Sequence, residues 1–192
     1  RAQAIRSSTF WRLVLVYGLL FGSISTIGLY RTPFYQDQGI ASGTIALAFS
    51  AEAVVSVLVA IPAGWALDRF TPRFVAPIPI VIMIGAFLMT MSTTTEWQVF
   101  ASTMMFGAAA ASASVVQAAI WPAYFGNLHI GAIRGVGMQT MMVFSLIGAP
   151  AAGMVKDATG SYFPVWWVAI GGLVISAALM VLTPRAEPPV LG

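Results

Sequence analysis

The stretch Gly64-Trp65-Ala66-Leu67-Asp68-Arg69-Phe70-Thr71-Pro72-Arg73 sets three charges, Asp68, Arg69 and Arg73, between two intervals, 53–67 and 74–95, that carry none. Outward from it the pattern recurs, with further uncharged intervals at 13–30, 38–51, 97–133, 135–155 and 158–184. Only 8% of the 192 residues are charged and 59% are hydrophobic, whereas a soluble domain carries roughly 25% charged residues. Water is the wrong solvent for this chain. With a mean hydropathy of +0.88, such runs read as membrane-spanning helices, each needing about 20 residues to cross about 30 Å of hydrocarbon.

The intervals 38–51 and 53–67 are each too short to cross and merge into one span interrupted by Glu52. The interval 97–133 holds one span rather than two, because Trp121-Pro122 and Gly126-Asn127-Leu128-His129 read as a helix end and a loop. The expectation is an all-α polytopic membrane protein, a single domain over 1–192 with six transmembrane helices at 10–30, 43–67, 74–93, 98–121, 134–155 and 162–183. Arg1, Arg6, Arg12, Arg69, Arg73, Arg134 and Arg185 fall on one side of these spans, and Arg31 and Lys156 on the other. The positive-inside rule then predicts cytoplasmic termini in a plasma or inner membrane. Trp11, Tyr30, Trp97, Trp121 and Tyr162 lie near predicted span ends, where aromatic belts form. The first span is too long for a signal-peptide core and is followed by no small-residue cleavage site.

The second span ends on Pro62-Ala63-Gly64-x-x-x-Asp68 and the fifth on Pro150-Ala151-Ala152-Gly153-x-x-x-Asp157, with a basic residue, Arg69 or Lys156, beside each aspartate. Copies three spans apart lie on opposite membrane faces. That is the signature of a three-plus-three inverted repeat. In the 64–73 stretch, glycine permits close helix approach, the aspartate can bond free amides of a helix N-terminus, and the arginines anchor on an anionic leaflet.

This stretch resembles the G-x-x-x-D-R-x-G-R-R/K loop of the major facilitator superfamily. Gly64, Asp68, Arg69 and Arg73 match it, Thr71 stands where the family glycine usually is, and Pro72 precedes Arg73. Degeneracy of this kind is typical of the second copy of the motif, in the C-terminal half. Arg6-Ser7-Ser8-Thr9-Phe10-Trp11 looks like the lead-in to the family's seventh helix, 124–135 like the loop before the eleventh, and Asp157-Ala158-Thr159-Gly160-Ser161-Tyr162 like the turn before the twelfth. The phrasing is similar to the oxalate/formate antiporter and monocarboxylate transporter branch. The resemblance implies the C-terminal six-helix half of a twelve-helix secondary transporter, and the chain, which begins with Arg1, is expected to be a fragment of a longer one. It further implies a gating loop at Gly64, Asp68, Arg69 and Arg73, an N-terminal half as partner, and alternating-access symport or antiport of a small organic anion.

Glu52 is the one charge well inside a predicted span. A carboxylate there costs about 2.5–3.5 kcal/mol on insertion scales and needs a cavity, a partner or a proton. It reads either as a coupling or substrate-adjacent acid or as a structural group bonded to a serine or backbone atom. Arg31 and Lys156, cations on the sparsely charged side, are candidates to attract a carboxylate; the alternatives are snorkelling to the headgroups or, for Lys156, pairing with Asp157. Gln117 and Gln139 are uncharged polar groups in or near spans four and five and are candidate cavity-lining residues. Pro150 permits a bend in span five, and Gly153, Asp157 and Gly160 complete the second repeat. The small residues of spans four and five and the ten methionines read as packing.

A six-helix scaffold or a self-associating half-size unit is the competing reading. An intramembrane enzyme is not expected, because cysteine is absent and the single histidine, His129, has no second base near it. No metal, cofactor or nucleic-acid partner is expected either, and without nucleotide motifs a gradient-driven mechanism is the default.

Overall fold

The computed structural model describes residues 7–126 and 130–183, the side chain of Ala149 excepted. The expectations resting on Arg1, Arg6, Arg185 and Asn127-Leu128-His129 therefore lie outside the described residues. Six helices are long and apolar enough to cross a membrane: α1 Ser8–Asp37, α2 Ser42–Arg69, α3 Pro72–Met91, α4 Glu96–Phe125, α5 Ile130–Thr159 and α6 Phe163–Leu182. No strand occurs among the described residues. The chain is an all-α, multi-pass membrane protein, because in a bilayer every backbone group must be satisfied within its own helix.

Local chemistry sets the helix ends. Ser7 Oγ accepts the Phe10 N–H at 3.2 Å to start α1, and Thr95 and Gln98 form a capping box at the start of α4. Gly39 (φ 79°) and Gly126 (φ 70°) follow α1 and α4 in left-handed backbone that only glycine adopts cheaply.

Three helices outrun their sequence-based borders by four residues or more, α5 by reaching from Ile130 to Thr159. α1 continues past Tyr30 and through Pro33 to Asp37. Pro33 leaves the Leu29 carbonyl without its helical donor, but Phe34 and Tyr35 beyond it are buried, and the Tyr35 hydroxyl bonds Ser102 Oγ at 2.9 Å. α4 likewise runs through Pro122 to Phe125. Trp121, expected at an interface, is instead fully buried, with its ring 5.7 Å from that of Phe10.

The helices pack so that α2 lies along α4, α1 along α5, α3 against α4 and α6, and α1 against α6. Advancing every helix by three exchanges these pairs among themselves: α2–α4 becomes α5–α1, and α3–α4 becomes α6–α1. Since helices alternate in direction, a shift of three also turns the unit over. Prolines follow the same rule, lying deep inside α1, α2, α4 and α5 as Pro33, Pro62, Pro122 and Pro150, but in the N-terminal part of α3, as Pro72, Pro77 and Pro79, and of α6, as Pro164. The three-plus-three inverted repeat is thus a property of the fold, which is that of one half of a major facilitator.

Both long crossings are closed by glycine. A Cβ on Gly107 of α4 would lie 2.6 Å from Glu52 Cγ, and one on Gly148 of α5 would lie 2.5 Å from Thr26 Oγ1 of α1. Where lipid supplies no hydrophobic drive, such close approach is what holds helices together. At one end of the bundle Arg73 donates to the Val181 carbonyl of α6 at 2.9 Å. At the other, Thr44 at the start of α2 donates to Glu96 at the start of α4 at 3.1 Å.

Candidate functional site

Glu52 has a partner, and it is Arg31. Because α1 runs on beyond Tyr30, Arg31 lies within the helix, only 4% exposed, and faces α2. Its Nη2 donates to Glu52 Oε1 at 3.2 Å, and Nη1 lies 3.0 Å from Oε2. The second contact is at ion-pair distance but lacks hydrogen-bond alignment, so Nη1, Oε2 and Nε remain without hydrogen bonds. The guanidinium is flanked by the Phe106 ring at 3.8 Å and the Phe49 ring at 4.9 Å. Gly107, beside Phe106, makes room for the glutamate. Ser56, one turn along α2, bonds the backbone carbonyl of Glu52 at 2.8 Å rather than its carboxylate.

Lys156 also has a partner other than the neighbour considered from sequence. Its Nζ lies 3.2 Å from Asp37 Oδ2 at the end of α1 and 3.6 Å from the centroid of the Tyr162 ring. Asp157 is its immediate neighbour on α5, and consecutive helical residues point in different directions. Gly160 turns the chain between α5 and α6 with φ 73°, and Gly153 admits the Tyr30 hydroxyl, which would lie 2.7 Å from an added Cβ. Pro150 sits inside an unbroken α5.

In the 64–73 stretch, Asp68 and Arg69 are exposed at the end of α2, with Arg69 5.5 Å from the Trp65 ring. Gly64 departs from expectation. An added Cβ there would meet nothing within 4 Å, because this side of α2 faces away from the other five helices. Its repeat counterpart, Gly153, is instead met by the tip of the Tyr30 side chain.

Gln117 and Gln139 are brought together. They stand on α4 and α5 at a cavity of about 480 Å³. Phe21 of α1 and Met138, Met141 and Met142 of α5 supply most of its remaining wall, with Ser114 and Ser145 at its edges. Gln117 is buried and directs its amide nitrogen to Met141 Sδ at 3.5 Å, whereas Gln139 is exposed. The three methionines, with Phe49, Phe106 and Asp37, are the site residues that sequence reasoning missed. Their only signal was spacing on one helix face, which packing explains equally well.

A bundle of two inverted three-helix units, with a cavity where α1 and its repeat mate α4 meet α5, defines a class of membrane transport proteins. The chain belongs to the Major Facilitator Superfamily, whose family model matches residues 13–192. No curated protein matches it.

Proposed function

We propose that this chain is the C-terminal six-helix half of a twelve-helix secondary transporter, in which a small solute binds between the halves and is released by alternating access. The observation that carries this reading is the cavity bounded by α1, α4 and α5, since transporters of repeated construction bind at the interface between repeats. Pro150 lies on the same helix as Gln139 and Met142, so a bend there would move one cavity wall. The exposed Asp68 and Arg69, on the side of α2 left open by this bundle, are placed to meet the other half as it rocks. Both termini are cytoplasmic in this reading, with Arg12, Arg69, Arg73 and Arg134 on the inner leaflet.

An organic anion, the solute implied by the resemblance to carboxylate carriers, would meet cations already engaged. It would have to displace Glu52 from Arg31 or Asp37 from Lys156. Uptake by the full-length protein in proteoliposomes, across small organic anions, sugars and cations with and without a proton gradient, tests the proposal. Concentrative uptake or exchange of any of them is the expected result. Its absence across the whole panel would favour the scaffold reading.

A further inference from the structure

We infer that the cavity between α1, α4 and α5 takes an uncharged amphipathic molecule bearing an amide or hydroxyl group, and that Gln117 recognises that group. This rests on the reading of the cavity as the solute site and names the class of solute.

Charge comes first. None of the residues lining the cavity is ionisable, and its polar groups are two carboxamides and two hydroxyls. A bare carboxylate or ammonium moved there from water would forfeit several kcal/mol of hydration with no opposite charge on this wall to offset it. The acid within the spans, Glu52, is held by Arg31 between α1 and α2 and is not part of the lining.

Polar recognition comes next. Gln117 is 6% exposed, yet its amide nitrogen is directed at a thioether sulfur 3.5 Å away. Sulfur is a weak acceptor. A ligand carbonyl or hydroxyl oxygen is a better one, and the glutamine carbonyl can accept from a ligand N–H or O–H in return. Ser114 is less available, because its hydroxyl donates to the Ala110 carbonyl of its own helix at 2.9 Å. Gln139 on the facing helix gives a second carboxamide at the open side. The Phe21 ring and the pliable side chains of Met138, Met141 and Met142 accept an apolar or aromatic body of variable shape. A volume of about 480 Å³ falls within the roughly 300–1,000 Å³ of small-molecule sites.

The test uses three probes on one skeleton, 2-naphthamide, 2-naphthoate and 2-naphthylmethylammonium, with binding to the detergent-purified full-length protein followed by scintillation proximity. Saturable binding of 2-naphthamide is expected to exceed that of either ion at least tenfold. Gln117→Leu should weaken it about tenfold, and Ser92→Ala, at the exposed end of α3, should leave it unchanged. Gln117→Glu, nearly isosteric and so folded where the leucine variant is not, should shift preference toward the ammonium probe. Stronger binding of the naphthoate would overturn the inference while leaving transport intact. So would naphthamide binding indifferent to both Gln117 variants, as for a lipid-like occupant, or no saturable binding of any probe. Gln117-dependent naphthamide binding in a protein that transports no solute would uphold the recognition chemistry and refute the transporter reading.

Discussion

Removing the carboxylate of Glu52 leaves Arg31 as a lone cation inside the bundle, and the geometry sets the size of the effect. Breaking a buried pair from one side costs about 3–5 kcal/mol. Stacking of the guanidinium on Phe106 and Phe49 is present before and after Glu52→Gln and does not enter the difference. The glutamine carbonyl keeps an acceptor for Nη2. We therefore expect Glu52→Gln to lose about 3 kcal/mol. Arg31→Met forfeits the stacking but leaves a carboxyl group that can take up a proton, whereas a guanidinium has no neutral form to fall back on. The double variant Arg31→Met/Glu52→Gln removes both charges and should lose less than Glu52→Gln alone, a coupling of about 2 kcal/mol by the double-mutant cycle. Equilibrium unfolding of the four proteins in mixed micelles measures it. Additive losses, or a Glu52→Gln protein as stable as the parent, would refute the claim that Arg31 and Glu52 stabilise the fold as a pair.

Gly107→Ala should cost at least about 1–3 kcal/mol in the same assay, because its methyl would meet Glu52 Cγ at 2.6 Å and the Glu52 backbone oxygen at 2.8 Å. Gly39→Ala, at φ 79° with open space around it, should cost about 1–2 kcal/mol through backbone strain alone, whereas Gly43→Ala, also in open space but helical, should stabilise by about 0.5–1 kcal/mol. Opposite signs are the check. Lys156→Gln should leave the melting temperature unchanged, since the two side chains of its pair are 28% and 61% exposed; a lost fold would show the contact to be structural. Tyr35→Phe should cost about 1–2 kcal/mol, its hydroxyl being the buried partner of Ser102 at 2.9 Å, and a neutral substitution would mean that the bond from Ser102 to the Val99 carbonyl at 3.1 Å satisfies that hydroxyl by itself.

The spans were legible because the interval between charges reports directly on solvent, and Pro62-Ala63-Gly64 and Pro150-Ala151-Ala152-Gly153 showed the repeat without any knowledge of packing. Pairing was not legible. Thr32-Pro33 reads as a stop, yet a proline costs a helix one hydrogen bond, and burial of Phe34 and Tyr35 beyond it outweighs that. Once α1 continues, Arg31 ceases to be a border residue and becomes the partner that Glu52 lacked. Lys156 shows the same limit, because sequence presents Asp157 as its neighbour while the fold presents Asp37. Gln117 and Gln139 could be singled out as polar groups among apolar ones. That they share a cavity with Met138, Met141 and Met142 depends on how α4 and α5 cross, which no single-helix periodicity encodes.

During synthesis Arg31 leaves the ribosome before Glu52, 21 residues later in the chain. Presented alone, α1 would bring an unmatched guanidinium to the translocation channel, and α2 alone an unmatched carboxylate, each disfavoured by up to about 2.5–3.5 kcal/mol, the value for a helix centre. As a hairpin the two cancel before either meets lipid. The pair therefore favours entry of α1 and α2 together, and one ion pair links the order of translation to the order of membrane entry.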